Sequence, residues 1–260
     1  MGTMVVMYTL RKQPRGDLLL GPIHKRYYAS FAPKLHAVEV ARREATRRGF
    51  PPGTQRVVQI VTDGDNDLER YCARLFPGAT RTIDAIHVVE RLWDAGSSVH
   101  PEGSEAHKAW VEKQKDHLYA GHAASIVAEL DRQLTSIART GPGNKFRREK
   151  LTEIRNYIQK RLPHMTYGEL LRQDLELSTG TVEGAIKNIM GRRMDHGGMR
   201  WIKERAEAVL QLRCIDANGQ WDAFVTRAHA AMRDTALTHG VRPRLQSRSP
   251  SPLPTLAEAA

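Results

Sequence analysis

The chain has 260 residues, enough to bury a sizeable hydrophobic core in one or two domains. Its 40 Lys and Arg residues outnumber 29 Asp and Glu, and the formal charge of +11 favours a polyanionic partner such as nucleic acid over a solubilising surface. The two cysteines lack CxxC spacing, which argues against a disulfide framework or a zinc site. Without a secretory signal pattern or an apolar run of about 18 residues, a soluble cytoplasmic protein with no membrane partner is expected.

The first part of the chain alternates strand and helix patterns. Strand-like segments occur at 4–10, 24–31, 56–62 and 80–83. Helical spacing follows them at 33–48, at 68–76 and from Ile86 to Trp93. The first two strands predict a hairpin, and the β-branched run at 56–62 predicts a strand buried on both faces. This order predicts an α/β domain in which helices cover a sheet.

From about residue 104 to 175 the apolar spacing is helical throughout, which predicts an all-helical insertion. Its helices are expected at 106–115, 119–137 and 146–162, with a break at Gly141-Pro142-Gly143. Further helices are predicted over 181–214, and the tail lacks apolar periodicity. The predicted division is a core at 1–99, the insertion at 100–177, C-terminal helices at 178–240 and a disordered tail at 241–260.

Asp63 directly follows the β-branched strand, in the segment Asp63-Gly64-Asp65-Asn66-Asp67. The carboxyl end of such a strand opens onto the crevice where α/β sheets bind ligands, so Asp63 is a candidate metal ligand. The alternative is a turn or helix-capping aspartate, and its local setting alone favours that alternative. Asp65 and Asp67 are interpreted as a helix cap and a solvated acid of the first turn.

Asp84 ends the next strand and stands three residues before His87. The pair can share one face of a helix, hydrogen-bond each other and brace the neighbouring strand end. The alternative, slightly favoured by the spacing, is an N-cap aspartate followed by a histidine with its own partner. Glu183 falls near the start of an apolar helix pattern and is either a site carboxylate or the glutamate of a capping box.

Two blocks of the chain together resemble a known family. They read TDGDNDLERYCARLFPGATRTIDAIHVVERLWDAG and, after the helical stretch, STGTVEGAIKNIMGRRMDHGGMRWIKERAEAVLQLR. The chain resembles the bacterial insertion-sequence transposases of the Kra group, relatives of the Mutator-like transposases, over roughly residues 4 to 230. The resemblance implies an RNase H-like core, a mixed sheet flanked by helices, with an all-helical insertion.

The resemblance also implies a two-metal site for Mg²⁺ or Mn²⁺ and a DDE-type reaction on DNA. Asp63 matches the second catalytic aspartate, and Glu183 matches the catalytic glutamate. Asp84 and His87 match the family's Cys/Asp-x-x-His motif in its Asp form and are supporting residues. Two metal ions suit phosphodiester cleavage and strand transfer, and hard cations prefer carboxylate oxygens. The implied partners are the DNA ends of the element and the target DNA. The resemblance also implies that a homodimer binds them in the bacterial cytoplasm.

The family's first catalytic aspartate lies on a strand that would precede residues 4–10, and no residue of this sequence matches it. The only acid before Glu39 is Asp17, which sits in a Gly- and Pro-rich turn. An N-terminally truncated transposase is therefore expected, with very weak or no catalysis. The alternatives are a non-catalytic DNA-binding remnant of the same fold and an RNase H-like nuclease that cuts without joining.

Basic residues concentrate in two helical stretches, 139–161 and 187–205. Phosphate contacts from such faces position DNA without reading its sequence, and a solvated helix face is the alternative. The residues predicted to bind DNA are Lys145, Arg147, Arg148, Lys187, Arg192, Arg193 and Arg200. Met199 and Trp201 lie in the second stretch and are interpreted as core residues in preference to base-stacking ones.

Overall fold

The computed structural model describes residues 2–12, 19–50, 57–194 and 199–238. The first seven elements, in chain order, are β1 (Thr3–Lys12), β2 (Leu19–Ser30), α1 (Lys34–Arg47), β3 (Gln59–Thr62), α2 (Asn66–Leu75), β4 (Thr80–Ile83) and α3 (Ala85–Val99). The strand and helix order predicted from the sequence is confirmed. Asp17 and the predicted disordered tail from residue 241 lie outside the described residues.

Strands β1 and β2 form the predicted antiparallel hairpin, with Thr3 opposite Ser30. The register shifts between Met7 and Thr9 and again between Thr9 and Arg11. Met7 packs toward α1, whereas Met4 and Val6 pack toward a cluster that includes Leu210. This alternation is expected for a strand that is covered on both faces.

Strands β3 and β4 pair in parallel, with Gln59 opposite Thr80 and Thr62 opposite Ile83. Parallel pairing brings the carboxyl ends of both strands to the same edge of the sheet. Asp63 and Asp84 each follow directly after one of these strands. The topology therefore places both acids at one edge.

The expectation of one mixed sheet differs from the observed pairing, because the described strands form two separate two-stranded sheets. The protein is α-rich with two small sheets. Helix α1 bridges them on one face, since Val38 belongs to a cluster with Met7 of β1 and Ile60 of β3. β3 was expected to be buried on both faces, yet only Thr62 is buried and the rest of the strand is half-buried. Ile60 packs against the cluster of α1, whereas Gln59, which faces the other side of the strand, is polar and hydrogen-bonds to Glu176.

The predicted helical insertion is confirmed as helical. It comprises α4 (Glu105–Tyr119), α5 (Ala123–Ser136), α6 (Asn144–Arg161), a short 3₁₀ turn (Leu162–His164) and α7 (Tyr167–Arg172). The helix predicted at 119–137 is wrong at its start, because Gly121 has φ of +84° and separates α4 from α5. Leu118, Leu130 and Ile158 of the insertion share a buried core with Ile83 of β4 and Leu92 of α3. The insertion is therefore packed into the same hydrophobic core as the strands.

The last part of the described chain is a helical run followed by two long helices. Its elements are α8 (Gly180–Ala185), a π-helical turn (Ile186–Gly191), α9 (Arg192–Met194), α10 (Lys203–Ala217) and α11 (Trp221–Thr238). The Arg213 side chain of α10 donates to the carbonyl oxygens of Asn188 and Ile189, each at 2.7 Å, and so holds the π-helical turn against α10. Within the described ranges, no helix is both long and apolar enough to cross a bilayer.

Candidate active site and nucleic-acid surface

Asp63 has an exposed side chain at the end of β3. Its Oδ1 accepts a hydrogen bond from the backbone N–H of Asp65 at 2.9 Å, which is the turn role that its local sequence favours. The other carboxylate oxygen, Oδ2, has no hydrogen-bond partner among the described residues. Asp63 therefore stabilises the turn through Oδ1, while its Oδ2 has no partner among the described residues.

The loop that carries Asp63 is fastened by α6 of the insertion. Tyr157 donates its hydroxyl to the Asp63 carbonyl oxygen at 3.0 Å, and the buried Arg161 side chain donates to the Gly64 carbonyl. Arg161 also donates to Asn66 Oδ1 at 3.0 Å. Gly64 has φ of +82°, and a Cβ there would lie 2.8 Å from Arg161 Nε. The glycine is thus required by both the backbone conformation and the close approach of α6.

Asp65 caps α2, as predicted, and accepts from the backbone N–H groups of Asp67 and Leu68 at 3.0 and 3.1 Å. Its Oδ2 also lies 2.5 Å from Lys34 Nζ at the start of α1. Burial alone would raise the pKa of Asp65, but the hydrogen bond from Lys34 and the amide donors lower it below its usual value. The same ion pair raises the pKa of Lys34. This pair joins α1 to the loop next to Asp63.

Asp84 is completely buried, with 0% exposure. Its Oδ1 accepts from the backbone N–H of Ile86 at 2.7 Å, so the predicted N-cap role is confirmed. Its Oδ2 accepts from both the backbone N–H, at 2.8 Å, and the hydroxyl of Thr179. Thr179 lies far along the chain from Asp84. The Asp84 side chain therefore both caps α3 and joins the end of β4 to the start of α8.

The predicted hydrogen bond between Asp84 and His87 is not formed. Both oxygens of Asp84 are occupied by Ile86 and Thr179. The half-exposed His87 instead has its Nδ1 3.0 Å from Glu90 Oε2, one turn further along α3. His87 therefore lies on the outer face of α3, with its ring accessible to solvent.

Glu183 is exposed in α8, and its backbone N–H donates to the Thr179 carbonyl at 3.0 Å. Thr179 is the N-cap residue, so Glu183 is the fourth residue of the helix, whereas a capping box needs its glutamate at the third. The Thr179 hydroxyl donates to Asp84 and makes no capping bond. The capping-box interpretation of Glu183 is therefore wrong, and its carboxylate is open.

The segment that leads into α8 runs along the face of the β3–β4 sheet. The Gln59 side chain donates to the Glu176 carbonyl at 2.6 Å and accepts from the Glu176 N–H at 2.9 Å. The backbone N–H of Ala85 donates to the Leu177 carbonyl at 2.8 Å. On β1, burial and the nearby Glu176 raise the pKa of Tyr8, and a hydrogen bond with Thr181 opposes that shift. The start of α8 thus contacts both sheets.

Asp63 and Glu183 supply the hard carboxylate oxygens that Mg²⁺ and Mn²⁺ prefer. The donor chemistry fits a divalent cation, but the number of donors falls short. Among the described residues there is no group of three or more His, Cys, Asp and Glu side chains arranged to hold a metal ion. The candidate metal ligands are therefore two exposed carboxylates: that of Asp63, directly after β3, and that of Glu183 in α8, whose N-cap residue Thr179 binds Asp84.

The first basic stretch is largely engaged within the protein. Arg147 Nε donates to the Ser98 carbonyl at 2.5 Å, and Arg148 donates to the Ile137 carbonyl at 2.7 Å. These two side chains therefore fasten the C-terminal ends of α3 and α5 to α6. Lys145 is 87% exposed and its Nζ lies 4.0 Å from Glu149. An open depression beside it is lined by Arg139, Lys145, Arg148, Glu149, Thr152, Glu153 and Asn156.

The second basic stretch is more open to solvent. Lys187, Arg192 and Arg200 are exposed, and none of them forms an ion pair within the described part of the chain. Arg193 lies in α9, and its side chain is outside the described part of the structure. Sequence reasoning missed Tyr157 and Arg161 as residues that hold the Asp63 loop, because no local motif links α6 to residues almost a hundred positions earlier.

No protein-family model, curated protein or solved structure matches this chain in comparisons with known proteins.

Proposed function

We propose that the chain is a DDE-type transposase of a bacterial insertion sequence, which cleaves DNA strands and joins them to target DNA with divalent metal ions. The observation that carries this proposal is the bond between Asp84 and Thr179. It anchors the helix of Glu183 to the end of β4, and β4 lies directly beside the strand that ends at Asp63. The two acids that follow β3 and β4 therefore lie at one edge of this sheet, and the N-terminal end of the Glu183 helix is bound to one of them.

In this proposal Asp63 and Glu183 hold the metal, and Asp84 positions the helix of Glu183. Bound Mg²⁺ or Mn²⁺ supplies charge that activates an attacking oxygen and stabilises a leaving oxygen on phosphorus. The exposed carboxylates of Asp63 and Glu183 are accessible to DNA from solvent. His87 is half-exposed on α3 and is proposed to contact the DNA end.

The proposed activity is slow. The resemblance implies three carboxylate ligands, and this sequence matches two of them, Asp63 and Glu183. With one ligand unmatched, the metal is held less tightly and its position relative to phosphorus is less fixed. Very weak cleavage is therefore expected.

Phosphate contacts are proposed to come from Lys145 and from the exposed cations Lys187, Arg192 and Arg200. The formal charge of +11 favours DNA as the partner, and it supports attraction at low salt. Arg147 and Arg148 donate to backbone carbonyl oxygens, so each has less capacity left for phosphate. Binding to paired element ends as a homodimer, in the bacterial nucleoid, is proposed on the resemblance alone.

The test is a nicking and strand-transfer assay on supercoiled and linear DNA with Mg²⁺ or Mn²⁺, comparing the wild type with Asp63→Asn and Glu183→Gln. Asp67→Asn is the matched control, because Asp67 is an exposed acid in the first turn of α2, four residues after Asp63, and pairs with Arg70 at 2.7 Å. Slow, metal-dependent cleavage and joining by the wild type and the control, absent from the other two variants, is expected.

Each other outcome contradicts a defined part of the proposal. Cleavage that persists in Asp63→Asn and Glu183→Gln would reject these residues as ligands. Cleavage without joining would favour an RNase H-like nuclease, whereas DNA binding without cleavage would favour the non-catalytic alternative. Rapid, complete strand transfer would contradict the two-carboxylate account.

A further inference from the structure

Trp201 is a solvent-exposed indole in the short segment before α10. Trp201 is 37% exposed, and its neighbours Met199 and Ile202 are 44% and 59% exposed. The sequence-based interpretation of Met199 and Trp201 as core residues is therefore wrong. Three large apolar side chains placed together on a surface mark an interaction site more often than chance exposure does.

The other three tryptophans have defined partners. Trp110 is buried and donates its indole N–H to Glu129 Oε1 at 3.2 Å. Trp93 makes an edge contact with His107, and Trp221 stacks at a tilt on Phe224. Trp201 contacts no other aromatic ring among the described residues. With 37% exposure, part of the Trp201 indole is accessible to a binding partner.

The surroundings of Trp201 are strongly basic. Arg200, Lys203 and Arg205 flank it along the chain and are exposed, with Glu204 as the one acid among them. None of these three cations forms an ion pair with a described residue, unlike Lys150 in the first basic stretch, which lies 2.9 Å from Asp94. Cations without a described ion-pair partner beside a partly exposed indole match the two requirements of a nucleic-acid site, which are phosphate neutralisation and base stacking.

The fold holds this surface in place. Glu207 of α10 accepts from the Ser30 hydroxyl at 2.8 Å and from the Phe31 N–H at 2.7 Å, which ties the first turns of α10 to the end of β2. Arg213 ties the same helix to the π-helical turn that carries Lys187. Lys203 and Arg205 therefore lie on an anchored helix, so binding phosphate through them would not require ordering a loose helix.

We propose that Trp201 stacks on an unpaired DNA base while Arg200 and Lys203 bind the adjacent phosphates. This inference rests on the proposed function and specifies which form of DNA the surface binds. An indole can cover a base only where the base face is free, so single strands and frayed duplex ends are favoured over continuous duplex. Each stacked base strengthens binding by about tenfold.

The test combines intrinsic tryptophan fluorescence with the anisotropy of a labelled oligonucleotide. A single-stranded 20-mer, the same sequence as blunt duplex, and a duplex with an unpaired end are titrated into the wild type and into Trp201→Phe, Trp201→Ala and Trp221→Phe. Trp221 is the matched control, because it is 45% exposed but lies next to the acid Asp222.

Single-stranded DNA is expected to quench the fluorescence of the wild type and of Trp221→Phe, and to quench Trp201→Phe much less. The affinity of Trp201→Ala for the single strand should fall about tenfold, with partial recovery in Trp201→Phe and little change for blunt duplex. Equal single-strand affinity of Trp201→Ala and the wild type would overturn the stacking proposal while leaving DNA binding intact. Failure of every DNA to bind would instead reject the proposed function itself.

Discussion

Asp84 and Thr179 are 95 positions apart in the chain, yet the buried carboxylate of Asp84 accepts both the backbone N–H, at 2.8 Å, and the hydroxyl of Thr179. The same carboxylate caps α3 through Ile86. One side chain therefore fixes the beginnings of two helices against the end of β4. Because α8 carries Glu183 four residues after Thr179, this contact decides where the Glu183 backbone lies.

Replacing Asp84 with Ala leaves the N–H groups of Ile86 and Thr179 and the Thr179 hydroxyl without their acceptor. The free energy of unfolding is expected to fall by about 1–3 kcal/mol, because buried donors without a partner are costly. Thr179→Val removes one of these donors together with its bond, so its cost should be about 1 kcal/mol. Urea unfolding followed by circular dichroism measures both. If Asp84→Ala proves as stable as the wild type, the brace between β4 and α8 is not a stabilising contact.

Gly64→Ala tests the fit of α6 against the Asp63 loop. An added Cβ would collide with Tyr157 Oη and lie 2.8 Å from Arg161 Nε, in a backbone conformation with φ of +82°. Gly49→Ala is the control, since Gly49 has φ of +92° but no atom of a described residue within 4 Å of the added Cβ. Backbone strain should cost each variant about 1 kcal/mol, and the collision should add about 1–3 kcal/mol for Gly64→Ala alone. Equal losses in thermal or urea unfolding would show that α6 does not restrict this loop.

The pair of Lys34 and Asp65 gives the protein an acid-sensitive contact. The folded-state pKa of Asp65 is lowered, so its stabilisation is present above the unfolded pKa of about 4 and is lost as the pH falls through the folded value. Asp65→Asn keeps a capping oxygen but loses the ion pair. It should be less stable than the wild type by about 0.5–1 kcal/mol at pH 7, with the gap closing below pH 4. A gap that stays constant from pH 7 to pH 2 would contradict this assignment.

The two basic stretches should differ in how they contribute to DNA binding. Lys187→Gln removes an exposed cation that has no described ion-pair partner, whereas Lys150→Gln removes one that lies 2.9 Å from Asp94. The slope of log affinity against log salt should become shallower by about 1 in Lys187→Gln and should barely change in Lys150→Gln. Anisotropy titrations at several salt concentrations measure the slopes. Equal slopes for both variants would show that ion pairing does not distinguish the two surfaces.

Individual strands and helices could be predicted from the sequence where one local pattern was clear. The strand at 80–83 was predicted with the bounds that β4 has, because its residues are strand formers between a Pro-Gly turn and an N-cap aspartate. The helix predicted at 119–137 was wrong at its start, because apolar spacing continues across Gly121 although the backbone there is left-handed. Periodicity reports which face is apolar and does not report a break of one residue.

The contacts that shape the candidate site could not be predicted from the sequence. Asp84 and Thr179, like Tyr157 and the Asp63 carbonyl, are joined only by tertiary packing and leave no trace in local spacing. The same limit explains the error over Trp201, since an apolar residue near a helix start is more often buried. Its exposure follows from its place just ahead of α10, where no described element covers it.

Binding of Mn²⁺ tests the central claim, that Asp63 and Glu183 hold a divalent metal, most directly. Free Mn²⁺ can be measured by electron paramagnetic resonance as the metal is titrated into the wild type, Asp63→Asn, Glu183→Gln and the control Asp67→Asn. The wild type and the control should bind Mn²⁺ equally, and each of the other two variants should lose affinity by about tenfold or more. Equal Mn²⁺ affinity in all four proteins would contradict the account.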